Sequence, residues 1–146
     1  MTRTLRSARG FTLIEIMVVV VIIGLLAAVI LPNVFGNVEK AQISKAKSDI
    51  QAIETALTMY KLDNYKYPST DLGLQALSQR PNDATVRNYR EGGYIKRVSN
   101  DPWGNAYQYV FPGTRGQDYD LFSFGADGVE GGEGANADIG NWNLGQ

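Results

Sequence analysis

A run of apolar residues from Ile16 to Leu31, entered through a lone carboxylate at Glu15, limits this chain more than any other feature. Taken as helix from Phe11 to Leu31, the segment would be about 30 Å long, the hydrocarbon thickness of a bilayer, so it predicts one membrane-spanning helix. Arg3, Arg6 and Arg9 precede it with no acidic residue among them. That bias holds the N-terminus in the cytoplasm and sends everything beyond Pro32 across the membrane. An ordinary secretory signal places its apolar run before the cleavage site and discards it; a cut after Gly10 would remove only the basic leader and keep the helix.

The junction Arg9-Gly10-Phe11-Thr12-Leu13-Ile14-Glu15 resembles the class III leader of type IV pilins and type II secretion pseudopilins. The resemblance implies that a membrane prepilin peptidase cleaves after Gly10 and N-methylates the new amino-terminal Phe11. The plainer alternative is an uncleaved signal anchor whose Glu15 snorkels to the interface. It leaves unexplained why Gly, Phe and Glu fall together at this spacing. After cleavage the Phe11 ammonium and the Glu15 carboxylate stand four residues apart, and in a dry helical core each needs an opposite charge, most naturally from a neighbouring subunit. Glu15 is therefore the expected assembly residue.

With 146 residues, the part beyond the anchor suits one small domain with one modest core. The formal charge is −1; without the three leader arginines, 11 basic against 15 acidic residues leave −4. No clustered basic face points to nucleic acid as a partner. The chain has neither Cys nor His, which excludes Ser-His and Cys-His nucleophiles and His-ligated zinc. Carboxylate pairs remain open. Many type IV pilins close the C-terminal loop with a disulfide, and this chain must stabilise such a loop by other means.

After Pro32 the pattern becomes amphipathic: Ile43, Ala46, Ile50, Ile53, Leu57 and Tyr60 fall at alternating three- and four-residue steps, one helical stripe for packing on the domain's own sheet. Pro32 and Gly36 predict a kink or a locally extended stretch around residues 32–37. Asn64-Tyr65-Lys66-Tyr67-Pro68 ends the helix, and Ser69 or Thr70 is placed to cap a short one carrying Leu72, Leu74, Ala76 and Leu77. Asp101-Pro102-Trp103-Gly104 reads as a tight turn. It leads into a strand over 106–111, a turn at Pro112-Gly113, and a second strand over 119–124, together an antiparallel hairpin. The Gly-rich, acidic stretch from Gly125 to Gly145 carries the apolar anchors Ile139, Trp142 and Leu144, which a disordered tail would not need.

Tyr67-Pro68, Gly73-Leu74-Gln75-Ala76-Leu77, Asp101-Pro102-Trp103-Gly104-Asn105, Gly125-Ala126-Asp127-Gly128, Gly131-Gly132-Glu133-Gly134, Ala137-Asp138-Ile139 and Trp142, in this order, resemble the major pseudopilins of type II secretion. The resemblance implies an α+β, type IV pilin-like fold: a long N-terminal transmembrane and amphipathic helix packed on a small antiparallel sheet, with a calcium-stabilised C-terminal loop. The expected organisation is a leader at 1–10, the spanning helix at 11–31, its amphipathic continuation at 32–63, and a periplasmic domain at 64–146.

The implied function is structural rather than enzymatic. A homopolymer built through the N-terminal helix would form a periplasmic pseudopilus at the inner membrane, with minor pseudopilins, an inner-membrane assembly platform and an outer-membrane secretin as partners. A type IV pilin forming an external fibre, and a membrane-anchored hydrolase using loop carboxylates, are the alternatives. Asp127 and Asp138 stand at positions 1 and 12 of a window with Gly132 at position 6, but Val129 and Gly131 occupy places where an EF-hand needs oxygen-bearing side chains. The loop is not an EF-hand. The family pattern instead implies Ca2+ held by the carbonyls of Phe124 and Val129 and the carboxylates of Asp127 and Asp138, with Ser123 a weaker candidate. Glu130 and Glu133 are open between ligand and solvated charge.

Overall fold

The structure is a computed structural model describing residues 10–145, without the side chains of residues 29–35. Arg3, Arg6, Arg9 and the Pro32 ring lie outside the described residues. In chain order the elements are helix α1 (Leu13–Asn64), a 3-10 helix at Leu74–Leu77, strands β1 (Gln108–Val110) and β2 (Asp120–Ser123), a 3-10 turn at Gly134–Asn136, and strand β3 (Ile139–Gly140). Contacts divide the chain into two units, Met1–Val38 and Glu39–Gln146.

In the first unit, Leu, Ile, Met and Val occupy every side of the helix. Each large apolar side chain named from Phe11 to Leu26 is 50 % exposed or more, because no second element of the unit covers it. Among the described residues no helix is long and apolar enough to cross a membrane; the expected span continues to Leu31, past the last side chain described before residue 29. The backbone is helical through residues 32–37. The locally extended stretch expected there is not found: helical bonding continues through a proline whose missing N–H removes one rung.

In the second unit the apolar stripe does what its period predicts. Ala46, Ile50, Ile53, Ala56, Leu57 and Tyr60 are buried and Ile43 packs beside them. They share a core with Leu74 and Leu77 of the 3-10 helix and with Tyr107, Tyr109, Tyr119, Leu121 and Ile139. Burying such side chains contributes roughly 1.5–3 kcal/mol each for the large aliphatics. The helix ends where Tyr65 turns left-handed at φ 63, its N–H donating to the Lys61 carbonyl at 2.7 Å, an αL stop just ahead of Pro68. Buried Asn64 fastens that end, donating from Nδ2 to the Tyr60 carbonyl and to Tyr94 Oη.

The short helix starts later than Ser69 or Thr70. Ser69 closes a turn through the N–H groups of Leu72 and Gly73, and the 3-10 helix begins after Gly73 with no side-chain cap. Thr70 is drawn elsewhere: its hydroxyl donates to the Phe111 carbonyl and accepts from the Phe111 N–H at 2.8 Å. That bridge takes the ladder position Phe111 would have used, and β1 stops at Val110. The sheet order is β1-β2-β3, antiparallel throughout, with Tyr109 opposite Leu121 and Ser123 opposite Ile139. Tyr109 and Leu121 face the core, as a period of two requires. The third strand was not expected from the sequence.

Candidate functional site

Two regions carry the expected site residues, one at each end of the chain. Gly10, Phe11 and Thr12 precede α1 in non-helical, exposed backbone, and nothing lies within 4 Å of where a Gly10 side chain would start. A peptide bond in such chain is open to a protease, as one inside a helix is not. Thr12 then caps the helix. Its Oγ1 accepts from the Glu15 N–H at 3.3 Å while Glu15 Oε2 accepts from the Thr12 N–H at 2.8 Å and the Thr12 hydroxyl at 3.0 Å. This reciprocal pair is a capping box, signalled by the Thr-x-x-Glu spacing. Within one chain, then, Glu15 has a local partner as well as the expected intersubunit one.

The C-terminal loop is built from β2 onward. Asp101 is buried at the turn before β1: its Oδ1 accepts from the N–H groups of Trp103 (3.1 Å) and Asn105 (2.8 Å), and its Oδ2 accepts from Ser123 Oγ at 2.5 Å. Ser123 Oγ in turn accepts from the Gly125 N–H at 3.0 Å, and Asn105 Nδ2 donates to the Gly125 carbonyl at 3.1 Å. Gly125, at φ 72, passes so close to the returning limb that a Cβ would stand 2.7 Å from the Ala135 carbonyl oxygen. Beyond it the Ala126 N–H donates to that same carbonyl at 2.9 Å.

Phe124 and Val129, the residues whose carbonyls are expected from the sequence as calcium ligands, flank this turn, with Phe124 half-buried and Val129 exposed. Asp127 Oδ1 accepts from the Val129 N–H at 3.2 Å. Asp138 is drawn across the loop, its Oδ2 accepting from the Gly131 N–H at 3.1 Å and its own N–H donating to the Gly131 carbonyl at 3.2 Å. Its other oxygen, Oδ1, is buried with no hydrogen-bond partner. Among the described residues no three His, Cys, Asp or Glu side chains gather as metal ligands; the expected set holds two carboxylates, the rest being carbonyl oxygens. Glu130 is taken up by Arg115 at 2.9 Å, with both side chains solvent-facing, and Glu133 is exposed ahead of the 3-10 turn. Ser123 is fully buried, its Oγ engaged on both sides at the base of the loop.

The loop's far limb is fixed by two asparagines that composition alone does not single out. Asn141 sends its side chain back to β2, where Oδ1 accepts from the Leu121 N–H and Nδ2 donates to the Tyr119 carbonyl, so the amide continues the ladder past Gly140. Asn143 accepts from the Gly140 N–H and donates to the Asp138 carbonyl. Trp142 lies against Phe122, with the Arg115 guanidinium 4.4 Å from its ring centre, and Leu144 packs on the core. Asp120 sits under the β1–β2 turn. Burial acts to raise its carboxyl, but hydrogen bonds from the Thr114 hydroxyl, the Thr114 N–H and the Arg115 N–H, with the Arg115 charge, outweigh this and hold it below the ordinary carboxylate range.

Residues 5–31 match the prokaryotic N-terminal methylation motif. Residues 33–142 match the family described as type II secretion system (T2SS), protein G. Relatives called type II secretion system core protein G are 60 % identical over 97 % of both chains in Vibrio cholerae, and 55 % identical over 94 % of this chain and 96 % of the relative in Pseudomonas aeruginosa. The crystal structure of the major pseudopilin from the type 2 secretion system of enterohaemorrhagic Escherichia coli superposes with a TM-score of 0.65 at 49 % identity, covering 76 % of this chain and 95 % of that one. This chain belongs to the type II secretion protein G family of pseudopilins. The family is structural, and the carboxylate-hydrolase alternative falls with that membership.

Proposed function

We propose that the chain serves type II secretion as an inner-membrane-anchored subunit that polymerises into the periplasmic pseudopilus. The observation that carries this reading is the helix of the first unit, apolar on every side and covered by nothing in its own unit. Such a surface is stable in lipid, and equally so against copies of itself, so a subunit can leave the bilayer for a filament without exposing that face to water. Contacts of this kind repeat head to tail without closing. The basic leader stays cytoplasmic, the spanning segment runs from Phe11 to Leu31, and the domain lies in the periplasm. Prepilin peptidase cuts after Gly10 and methylates Phe11; minor pseudopilins, the assembly platform and the secretin are the further partners. Intact-mass measurement of the protein from membranes tests this: loss of residues 1–10 plus one methyl group is expected, and Gly10→Val should leave the leader attached. Mature mass in the Gly10→Val strain would refute the processing site.

In the same reading the C-terminal loop holds Ca2+ through Asp127, Asp138 and the carbonyls of Phe124 and Val129. The donor set is all oxygen, as this hard cation requires, and the unpartnered, buried Asp138 Oδ1 is an anionic atom that hydrogen bonding leaves unsatisfied. Bound there, calcium would supply the positive charge that closes a loop lacking cysteine. Occupancy stabilises the fold by RT ln(1 + [Ca]/Kd), about 2.7 kcal/mol at a hundredfold excess over Kd. A chelator should lower the melting temperature of the full-length protein in detergent, and Asp127→Ala or Asp138→Ala should erase that difference. Equal melting temperatures of the unaltered protein in chelator and in millimolar calcium would remove the site.

A further inference from the structure

We infer that Asp101, acting through Ser123, is a positioning residue for the calcium loop; the inference rests on the calcium reading above. Asp101 lies far from the loop in sequence and is not among the ligands of that reading. It does hold the loop's root. One carboxylate oxygen fixes the turn that carries Asn105, through the N–H groups of Trp103 and Asn105, and the other accepts from Ser123 Oγ at 2.5 Å. From there two bonds reach the same peptide segment: Ser123 Oγ accepts from the Gly125 N–H, and Asn105 Nδ2 donates to the Gly125 carbonyl. Gly125 is thus gripped on its N–H and on its carbonyl by groups that both depend on Asp101.

The ligand-bearing arc hangs from this grip. The Phe124 carbonyl belongs to the peptide unit whose N–H is the Gly125 donor, so the Ser123 bond sets the direction in which that carbonyl points. Asp127 comes two residues after Gly125. The returning limb is registered against Gly125 by close approach and by the Ala126-to-Ala135 bond. A charged acceptor strengthens each of the bonds to Asp101 relative to a neutral one, and Asp101 and Ser123 are both nearly or fully buried. The pair therefore orients the Phe124 carbonyl before the cation arrives, which lowers the ordering needed on binding.

The test is the calcium dissociation constant of full-length protein in detergent, measured by titration calorimetry for the unaltered chain, Ser123→Ala, Asp101→Asn and the double variant. Leu57→Ala, a core change away from the loop, serves as a destabilised reference. Ser123→Ala and Asp101→Asn are each expected to raise Kd about tenfold, with the double variant no weaker than the worse single, because both act through one relay. Leu57→Ala should lower the melting temperature and leave Kd unchanged. Amide exchange adds a readout that needs no calcium: in chelator, Ser123→Ala should speed exchange at residues 125–138 and leave 46–60 unaffected. Calcium binding by Ser123→Ala with the unaltered Kd and unaltered exchange would overturn the positioning role alone. Absence of calcium binding by the unaltered chain would overturn the calcium reading and this inference with it. If Asp101→Asn does not fold, Ser123→Ala decides the matter.

Discussion

Replacing Gly125 with alanine tests whether the close crossing at the loop's root governs the stability of the domain. The backbone there has φ 72, and a Cβ would lie 2.7 Å from the Ala135 oxygen, 2.8 Å from the Asn136 carbonyl carbon and 2.9 Å from the Ala137 oxygen, all of them main-chain atoms that cannot swing away. The left-handed conformation costs a non-glycine residue about 1–2 kcal/mol. Overpacking against fixed backbone adds about 1–3 kcal/mol, and the loss of chain entropy in the unfolded state returns about 0.4–1 kcal/mol. The net destabilisation is about 2–4 kcal/mol, a large share of the roughly 5–15 kcal/mol available to a domain. Gly116→Ala is the matched control, since Gly116 also has a positive φ, 84, but nothing lies within 4 Å of its Cβ position. Thermal unfolding of full-length protein in detergent, followed by tryptophan fluorescence, should place Gly125→Ala roughly 5–15 °C below Gly116→Ala. Equal midpoints for the two variants would refute the reasoning, because the conformational cost would then be the whole effect and the crossing would contribute nothing.

Glu15→Ala should leave cleavage after Gly10 intact and reduce filament yield and secretion, as judged by negative-stain counts and exoprotein in the medium; undiminished yield would return Glu15 to a capping role alone. Asp120 has a folded-state pKa below its ordinary 3.8, so its contribution is fully present above that value and is lost as pH falls through the lower folded one. Asp120→Asn should therefore be less stable than the unaltered protein at pH 7, with the gap narrowing below about pH 4. A gap in melting temperature that stays constant from pH 7 to pH 2 would show that the Thr114 and Arg115 bonds do not depend on the charge.

The core was readable because helical period is a strong signal: six apolar residues from Ile43 to Tyr60, three and four apart, can share a face only on a helix. The Asp101 turn was equally plain, its Pro locked in advance at the φ the second corner takes and its Gly supplying a positive φ that few other residues adopt. The features that escaped the pattern depend on long-range partners. Thr70 looks like a helix cap from its neighbours, yet its hydroxyl is claimed by Phe111, forty-one residues on. Strand β3 is two residues long and is extended by the side chain of Asn141, so neither alternation nor β-propensity marks it. Glu15 shows the opposite case. Its capping partner stands in plain spacing, while the apolar run around it directs attention to the cost of a charge in lipid. In the loop, Asp127 and Asp138 could be singled out by type, but the buried, partnerless state of one Asp138 oxygen and the engagement of Ser123 exist only once the chain has folded.

The strand order carries a consequence for timing. β2 is the middle strand, yet the segment that flanks it on one side follows it in the chain and is synthesised after it. Until Ile139 to Asn143 have emerged, the N–H of Leu121 and the carbonyl of Tyr119 have no amide from Asn141 to meet, and Asp138 has no Asn143 holding its carbonyl. A chain made only as far as β2 thus has an open-edged hairpin on a helix, and the loop root built by Asp101 and Ser123 has nothing to close against. Completion of the domain therefore waits on Ile139 to Asn143, and a copy lacking them presents an open strand edge where a finished one presents a paired strand.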